Sequence, residues 1–144
     1  MKLNDLMAPD LRIRLDMFRG QTEGEAYEAG ETIFSEGELG WAMYVVLQGE
    51  VELRIEGETI ETLGPLEPFG EMALIDQAPR VASAVARTNC VVLPIPEKRF
   101  LFMVQQAPHF SLQLMKVVTE RLRRANARRL TVWPTHPSAR PSLR

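Results

Sequence analysis

Phe69-Gly70-Glu71-Met72-Ala73-Leu74-Ile75, continued by Asp76-Gln77-Ala78-Pro79-Arg80-Val81-Ala82-Ser83, carries the most specific chemistry in the chain. Gly70 permits a tight backbone turn, and Glu71 to Ile75 can form a single helical turn. Such a turn presents free N–H donors and the positive end of a dipole, which suits an anion. Pro79 ends it, and Arg80 follows as a planar, five-donor cation matched to phosphate. Glu71 fits beside an anion only if it accepts from a neutral hydroxyl next to the phosphate. A ribose carrying a cyclic phosphate offers both groups on adjacent atoms. The local chemistry therefore points to a sugar-phosphate ring and away from a free inorganic anion.

Upstream, from Ala26, the chain consists of short apolar runs punctuated by glycine. Gly30 sits between two strand pieces in Tyr27 to Phe34, and Gly37 and Gly40 bracket a loop. Trp41 to Gln48 supplies an apolar strand around Tyr44-Val45-Val46-Leu47. Glu50 to Glu56 alternates, with Val51, Leu53 and Ile55 on one face and Glu50, Glu52, Arg54 and Glu56 on the other. Glu56-Gly57 predicts a hairpin turn into Thr59 to Leu63. Downstream, Ser83 to Ala86 and Cys90 to Ile95 read as closing strands. Pro96 and Glu97 suit the first turn of a helix over Glu97 to Gln106, burying Phe100, Met103 and Val104, with Pro108 ending it. A longer helix is expected from Phe110 to Arg129, with Leu114, Met115, Val118, Leu122 and Ala125 on its apolar side and arginines opposite. Short strands with turns about every eight to twelve residues indicate an all-β roll or barrel.

With those flanks, Phe-Gly-Glu-Met-Ala-Leu-Ile followed by Pro-Arg closely resembles the phosphate-binding cassette of cyclic nucleotide-binding domains. That family includes catabolite-activator-type regulators, cyclic-nucleotide-dependent kinases and cyclic-nucleotide-gated channels. The likeness implies a mainly β fold with flanking helices: an eight-stranded, jelly-roll-like barrel, a short cassette helix and two C-terminal helices. It divides the chain into a short helical segment at 1–24, the nucleotide-binding domain at 25–129 (cassette 69–83, C-terminal helices 97–129) and a flexible tail at 130–144. Carried over residue by residue, the ligand-binding set is Gly70, Glu71, Met72, Ala73, Arg80, Val81 and Ala82. Glu71 would accept the ribose 2′-hydroxyl, and Arg80 would pair with the cyclic phosphate. Backbone N–H groups near Met72, Ala73 and Val81 would hold its other oxygens. Val51, Ile60 and Leu63 are the expected apolar wall beneath the ring. Arg121 is the candidate lid residue reaching the base, with Glu120 and Arg124 as alternatives. Family members that favour cGMP often place Thr or Ser directly after the arginine. Val81 offers no hydroxyl and Ser83 should face the other side of its strand, so cAMP is expected over cGMP.

Size and composition allow one domain with a proper core. Lys and Arg total 17 against 19 Asp and Glu, for a formal charge of −2. The charge is uneven, because residues 116–144 contain eight Lys or Arg and one acid, Glu120. Such a basic segment can signal nucleic acid or an acidic membrane, but a solvated helix face is the commoner explanation. Cys90 is the single cysteine, which excludes an internal disulfide and fits a reducing compartment. No signal peptide, membrane span, metal-ligand spacing, phosphate-loop glycine pattern or nucleophile–base pair is evident. The expectation is a cytoplasmic, non-enzymatic receptor needing no cofactor, with no DNA-binding domain in the short stretch after Arg129. Its partner would be an unidentified protein effector or a second copy docking through the C-terminal helix. The competing readings are a nucleotide-independent interaction module and a shortened transcriptional regulator lacking its helix-turn-helix.

Overall fold

The computed structural model describes residues 24–132; the helical segment expected before Gly24 and the tail beyond Val132 lie outside the described residues. In chain order the elements are β1 (Glu25–Tyr27), β2 (Thr32–Phe34), β3 (Ala42–Gln48), β4 (Val51–Ile55), β5 (Glu58–Leu63) and β6 (Pro68–Phe69). There follow α1 (Met72–Ile75), β7 (Ser83–Ala86), β8 (Cys90–Pro96), α2 (Glu97–Gln106) and α3 (Pro108–Val132). Two four-stranded sheets form, ordered β1-β8-β3-β6 and β2-β7-β4-β5, with every pairing antiparallel. This is the expected β-roll with its cassette helix and two C-terminal helices.

The continuous apolar run in β3 has a simple cause: its sheet is buried on both faces. Val46 points into the roll with Phe34, Val51, Leu63, Phe69 and Val92. Met43 and Val45 point outward and pack with Ile95, Phe100, Met103 and Phe110, under the helices. The second sheet covers only its inner face, so β4 keeps a strict alternation with charges outside, where Arg54 and Arg87 both pair with Glu52. The Arg54 hydrogen bond is the main reason the Glu52 carboxyl lies below its ordinary range. The β4–β5 hairpin turns through Glu56 and Gly57, where the sequence predicts a hairpin turn, and both are at positive φ (51° and 80°), the type I′ pattern. One irregularity matters for the site. Leu53 pairs with Glu61 while Arg54 pairs with Thr59, so Ile60 is an extra, bulged residue.

The helices correct three expectations. Phe100 and Met103 are buried as predicted, but Val104 is exposed; at 100° per residue it lies about 70° off the centre of their narrow stripe. α2 ends at Gln106 as expected, but α3 starts at Pro108, two residues before the expected Phe110, a position where the missing proline N–H costs nothing. The third concerns the faces of α3. Its buried stripe is Phe110, Leu114 and Val117, whereas Met115 and Leu122 are each 59% exposed. Nor do the arginines all lie opposite: Arg121 and Arg124 reach back to buried carboxylates of the roll.

Candidate functional site

Between the cassette, the β4–β5 hairpin and the C-terminal half of α3 lies a cavity of about 380 Å³, a volume ordinary for a small-molecule site. The cassette contributes Gly70, Glu71, Met72 and Ala73 to one side, with Arg80, Val81 and Ala82 beyond them. Arg121 closes the opposite side, so the eight residues singled out from the sequence line one space. The apolar wall differs from expectation. Ile60 belongs to it, joined by Leu53 and Ile55, whereas Val51 and Leu63 are packed inside the roll. Ser83 does not line the cavity; its Oγ accepts from the Glu36 N–H at 2.9 Å. Of the lid alternatives, Glu120 pairs along its own helix with Arg123 at 3.8 Å.

Arg80 is the most constrained side chain. It is only 6% exposed. Nη1 donates to the Gly70 carbonyl at 2.7 Å and Nη2 to the Ala42 carbonyl at 2.6 Å. The guanidinium lies 3.9 Å from the Phe34 ring centre, within cation–π range. Phe34, Tyr44 and Phe69 form a mutually packed aromatic group there, with centroids 5.2 to 5.9 Å apart. Two glycines make this possible. A Cβ on Gly40 would stand 2.7 Å from Arg80 Cζ, and one on Gly70, which is also at φ 80°, would stand 2.9 Å from Nη1. Burial pushes the Arg80 guanidinium below its ordinary value, opposed by Tyr44, Glu38 and Glu71. Its Nε is buried and has no acceptor.

Glu71 is 4% exposed. Its Oε1 accepts from Arg121 Nη1 at 3.0 Å, and Arg121 Nη2 donates to the Pro68 carbonyl. The Nε of Arg121, like that of Arg80, is buried without an acceptor. Glu71 is also the N-cap of α1, but its side chain caps no backbone N–H. Its own carbonyl accepts from Leu74 and Ile75, leaving the Met72 and Ala73 N–H groups as first-turn donors. Of the charged groups lining the cavity, Arg80, Arg121 and Glu71, together with the apolar wall, can hold an anionic ring bearing a hydroxyl. Among the described residues no cluster of His, Cys, Asp or Glu could hold a metal.

A family model, the cyclic nucleotide-binding domain, matches residues 25–107. The chain belongs to the cyclic nucleotide-binding domain family. It is 34% identical over 125 residues to the cyclic AMP receptor protein of Thermus thermophilus, covering 83% of this chain and 56% of that one. The crystal structure of the Thermus thermophilus catabolite activator protein aligns with a TM-score of 0.66 at 32% identity, over 78% of this chain and 60% of that one. The EAL enzyme Bd1971 aligns in its cAMP-bound form (TM-score 0.56, 33% identity) and in its cGMP-bound form (0.59, 32%); each match covers 76% of this chain and 30% of that one. This cyclic nucleotide-binding domain thus spans about half the length of the curated relatives it matches. No described helix is long and apolar enough to cross a membrane.

Besides Leu53 and Ile55, two charged groups of the cavity wall were not singled out from the sequence: Arg128 and the buried carboxylate Glu61. The signal was present, since Glu61 is in phase with Leu63, which the alternation of β5 turns inward. The arginine-lined side of α3 had no such signal, because helical periodicity assigns charged residues to solvent.

Proposed function

We propose that this domain is a non-enzymatic receptor for a 3′,5′-cyclic nucleotide, cAMP in preference to cGMP. On this reading Arg80 pairs with the cyclic phosphate, and the Met72 and Ala73 N–H groups take its remaining oxygens. Arg121 takes one oxygen of Glu71, so the other accepts the ribose 2′-hydroxyl. Gly70, Val81 and Ala82 shape the backbone around the ring. The carrying observation is the buried Arg80 Nε, which lacks an acceptor on a side chain lining the same cavity as Glu71. A sealed donor on a cation is costly to leave unpaired, and an entering phosphate would satisfy it.

The family match, to a ligand-binding domain, and the cavity lined by Arg80 and Glu71 both favour binding. Signalling would run through α3, whose Arg121 touches the same carboxylate as the ligand. A ligand that binds tighter with α3 in one position shifts its population toward that position, and the effect would pass to a protein effector or a second copy. Calorimetric titration with cAMP and cGMP tests the reading. Saturable one-site binding with cAMP tighter is expected; no binding of either would overturn it.

A further inference from the structure

Glu61 poses a problem that packing does not solve. It is 8% exposed, on the bulged stretch of β5 beside Ile60. Oε1 accepts from Arg124 Nη1 at 3.0 Å. Oε2 is sealed from solvent and has no hydrogen bond; Arg128 Nη1 stands 4.0 Å away, outside hydrogen-bond range. Both Glu61 and Arg128 line the cavity that holds Glu71 and Arg80. A buried carboxylate oxygen without a donor calls for an explanation, and here the side of the cavity not used by phosphate or ribose supplies one.

We propose that Glu61 reads the base, its Oε2 accepting an N–H from the 6-amino group of adenine. This deepens the receptor reading above and rests on it. Arg128 is about half exposed along its side chain, so it can swing aside to admit the amino group and then donate to a neighbouring ring nitrogen. An acceptor beside a donor matches the N–H and ring nitrogen of adenine. Guanine fits less well. With Oε1 engaged by Arg124, one free oxygen faces the N1–H and the 2-amino group together. The surplus amino group would lie against the apolar side chains of Leu53, Ile55 and Ile60.

The test varies the ligand first and the protein second. Calorimetric dissociation constants are measured for cAMP, for the cyclic phosphate of unsubstituted purine riboside, which lacks the 6-amino group, and for cIMP, which carries a 6-oxo group. Deleting the amino group should weaken binding to the parent protein about tenfold, the usual scale for one hydrogen bond to a charged group. Glu61→Gln keeps an amide oxygen for Arg124 and turns an NH2 toward the base, so the cAMP-to-cIMP preference should fall about tenfold or invert. Equal binding of cAMP and the purine analogue by the parent protein would overturn the proposal, and that comparison needs no folded variant. An unchanged cAMP-to-cIMP ratio in a folded Glu61→Gln would overturn it too, leaving Glu61 a structural ion pair. Failure of every cyclic nucleotide to bind would overturn the receptor reading itself, a result distinct from binding without base discrimination.

Discussion

Replacing Arg80 with alanine should damage affinity and stability together, and the two losses can be estimated separately. In the ligand-free domain the guanidinium satisfies two backbone carbonyls, of Gly70 at 2.7 Å and Ala42 at 2.6 Å, and stacks on Phe34. An unpaired buried carbonyl costs about 1–3 kcal/mol. Water entering through the cavity would reach both, so the low end applies, about 1 kcal/mol each, with about 0.5–1 kcal/mol more for the lost stacking. A domain of this size shifts its Tm by about 4–8 °C per kcal/mol, which puts the expected drop at roughly 10–24 °C. The affinity loss has another origin. Without Arg80 the phosphate is buried lacking its main counter-charge, a cost of about 2–5 kcal/mol, or roughly thirtyfold to several thousandfold in Kd.

Calorimetry with cAMP, below the variant's melting temperature and with the fold verified by circular dichroism, measures the second quantity; thermal melts measure the first. Arg80→Lys separates the contributions. It keeps a charge, but a compact ammonium cannot reproduce the planar fork that spans two carbonyls, so it should recover part of the affinity and little of the stability. Arg80→Ala binding cAMP within threefold of the parent would refute the phosphate assignment. Lost affinity with an unchanged Tm would refute the claim that Arg80 also braces the cassette against β3.

Glu71→Gln in the parent context, and removal of the ligand's 2′-hydroxyl in 2′-deoxy-cAMP, should each weaken binding about tenfold. Combined they should cost little more than either alone, since they delete one contact; additive losses in the calorimetric cycle would place the hydroxyl elsewhere. Gly40→Ala should destabilise by about 1–3 kcal/mol as an overpacked site, because its Cβ would meet Arg80 Cζ and Ala73 Cβ, each at 2.7 Å. Its affinity should fall as Arg80 is displaced, and an unchanged melt with unchanged Kd would contradict the close approach. Cys90 is buried, and burial, aided by Glu31, pushes its thiol up. The unfolded chain therefore loses that proton first: stability is full below the ordinary thiol range near about 8.5 and declines as pH rises through it toward the folded value. Tyr27, pushed up to about 12, titrates later. Urea midpoints at pH 7 and about pH 9.5 should fall more for the parent than for Cys90→Ala, and equal slopes would sink the argument.

The roll was legible in the sequence because its signals are local. Glu56-Gly57 dictates a turn, β4 alternates because one face is wet, and β3 does not because both faces are covered. The cassette was legible for a different reason: its glycine, carboxylate and arginine stand within one short stretch at separations that match a known motif. What escaped was decided by partners distant in sequence. Arg121 meets Glu71 across 50 residues and Arg124 meets Glu61 across 63, and no periodicity within α3 contains that information. The bulge at Ile60 is equally silent, since it exists only relative to β4.

Those distant pairs also give α3 its mechanical character. Near its start the helix is anchored by ordinary burial of Phe110, Leu114 and Val117. Over the cavity it is tied to the roll by arginine–carboxylate bridges, Arg121 to Glu71 and Arg124 to Glu61, at 3.0 Å each, and by the Arg121 bond to the Pro68 carbonyl. Apolar packing is close to all-or-none, whereas a partly buried ion pair can exchange one donor for another with modest loss. A ligand hydroxyl at Glu71 and a base amino group at Glu61 would each act on a bridge that positions the helix. Occupancy and helix position would then be linked, so that weakening either bridge changes ligand affinity by the same factor that the ligand changes the bridge. Arg124→Ala tests the coupling without removing a predicted ligand contact. On this reasoning it alters the cAMP Kd severalfold and raises amide hydrogen exchange over the C-terminal half of α3, and bound cAMP restores part of that protection. A variant with parental Kd and parental exchange would show that the helix is held by its apolar stripe alone.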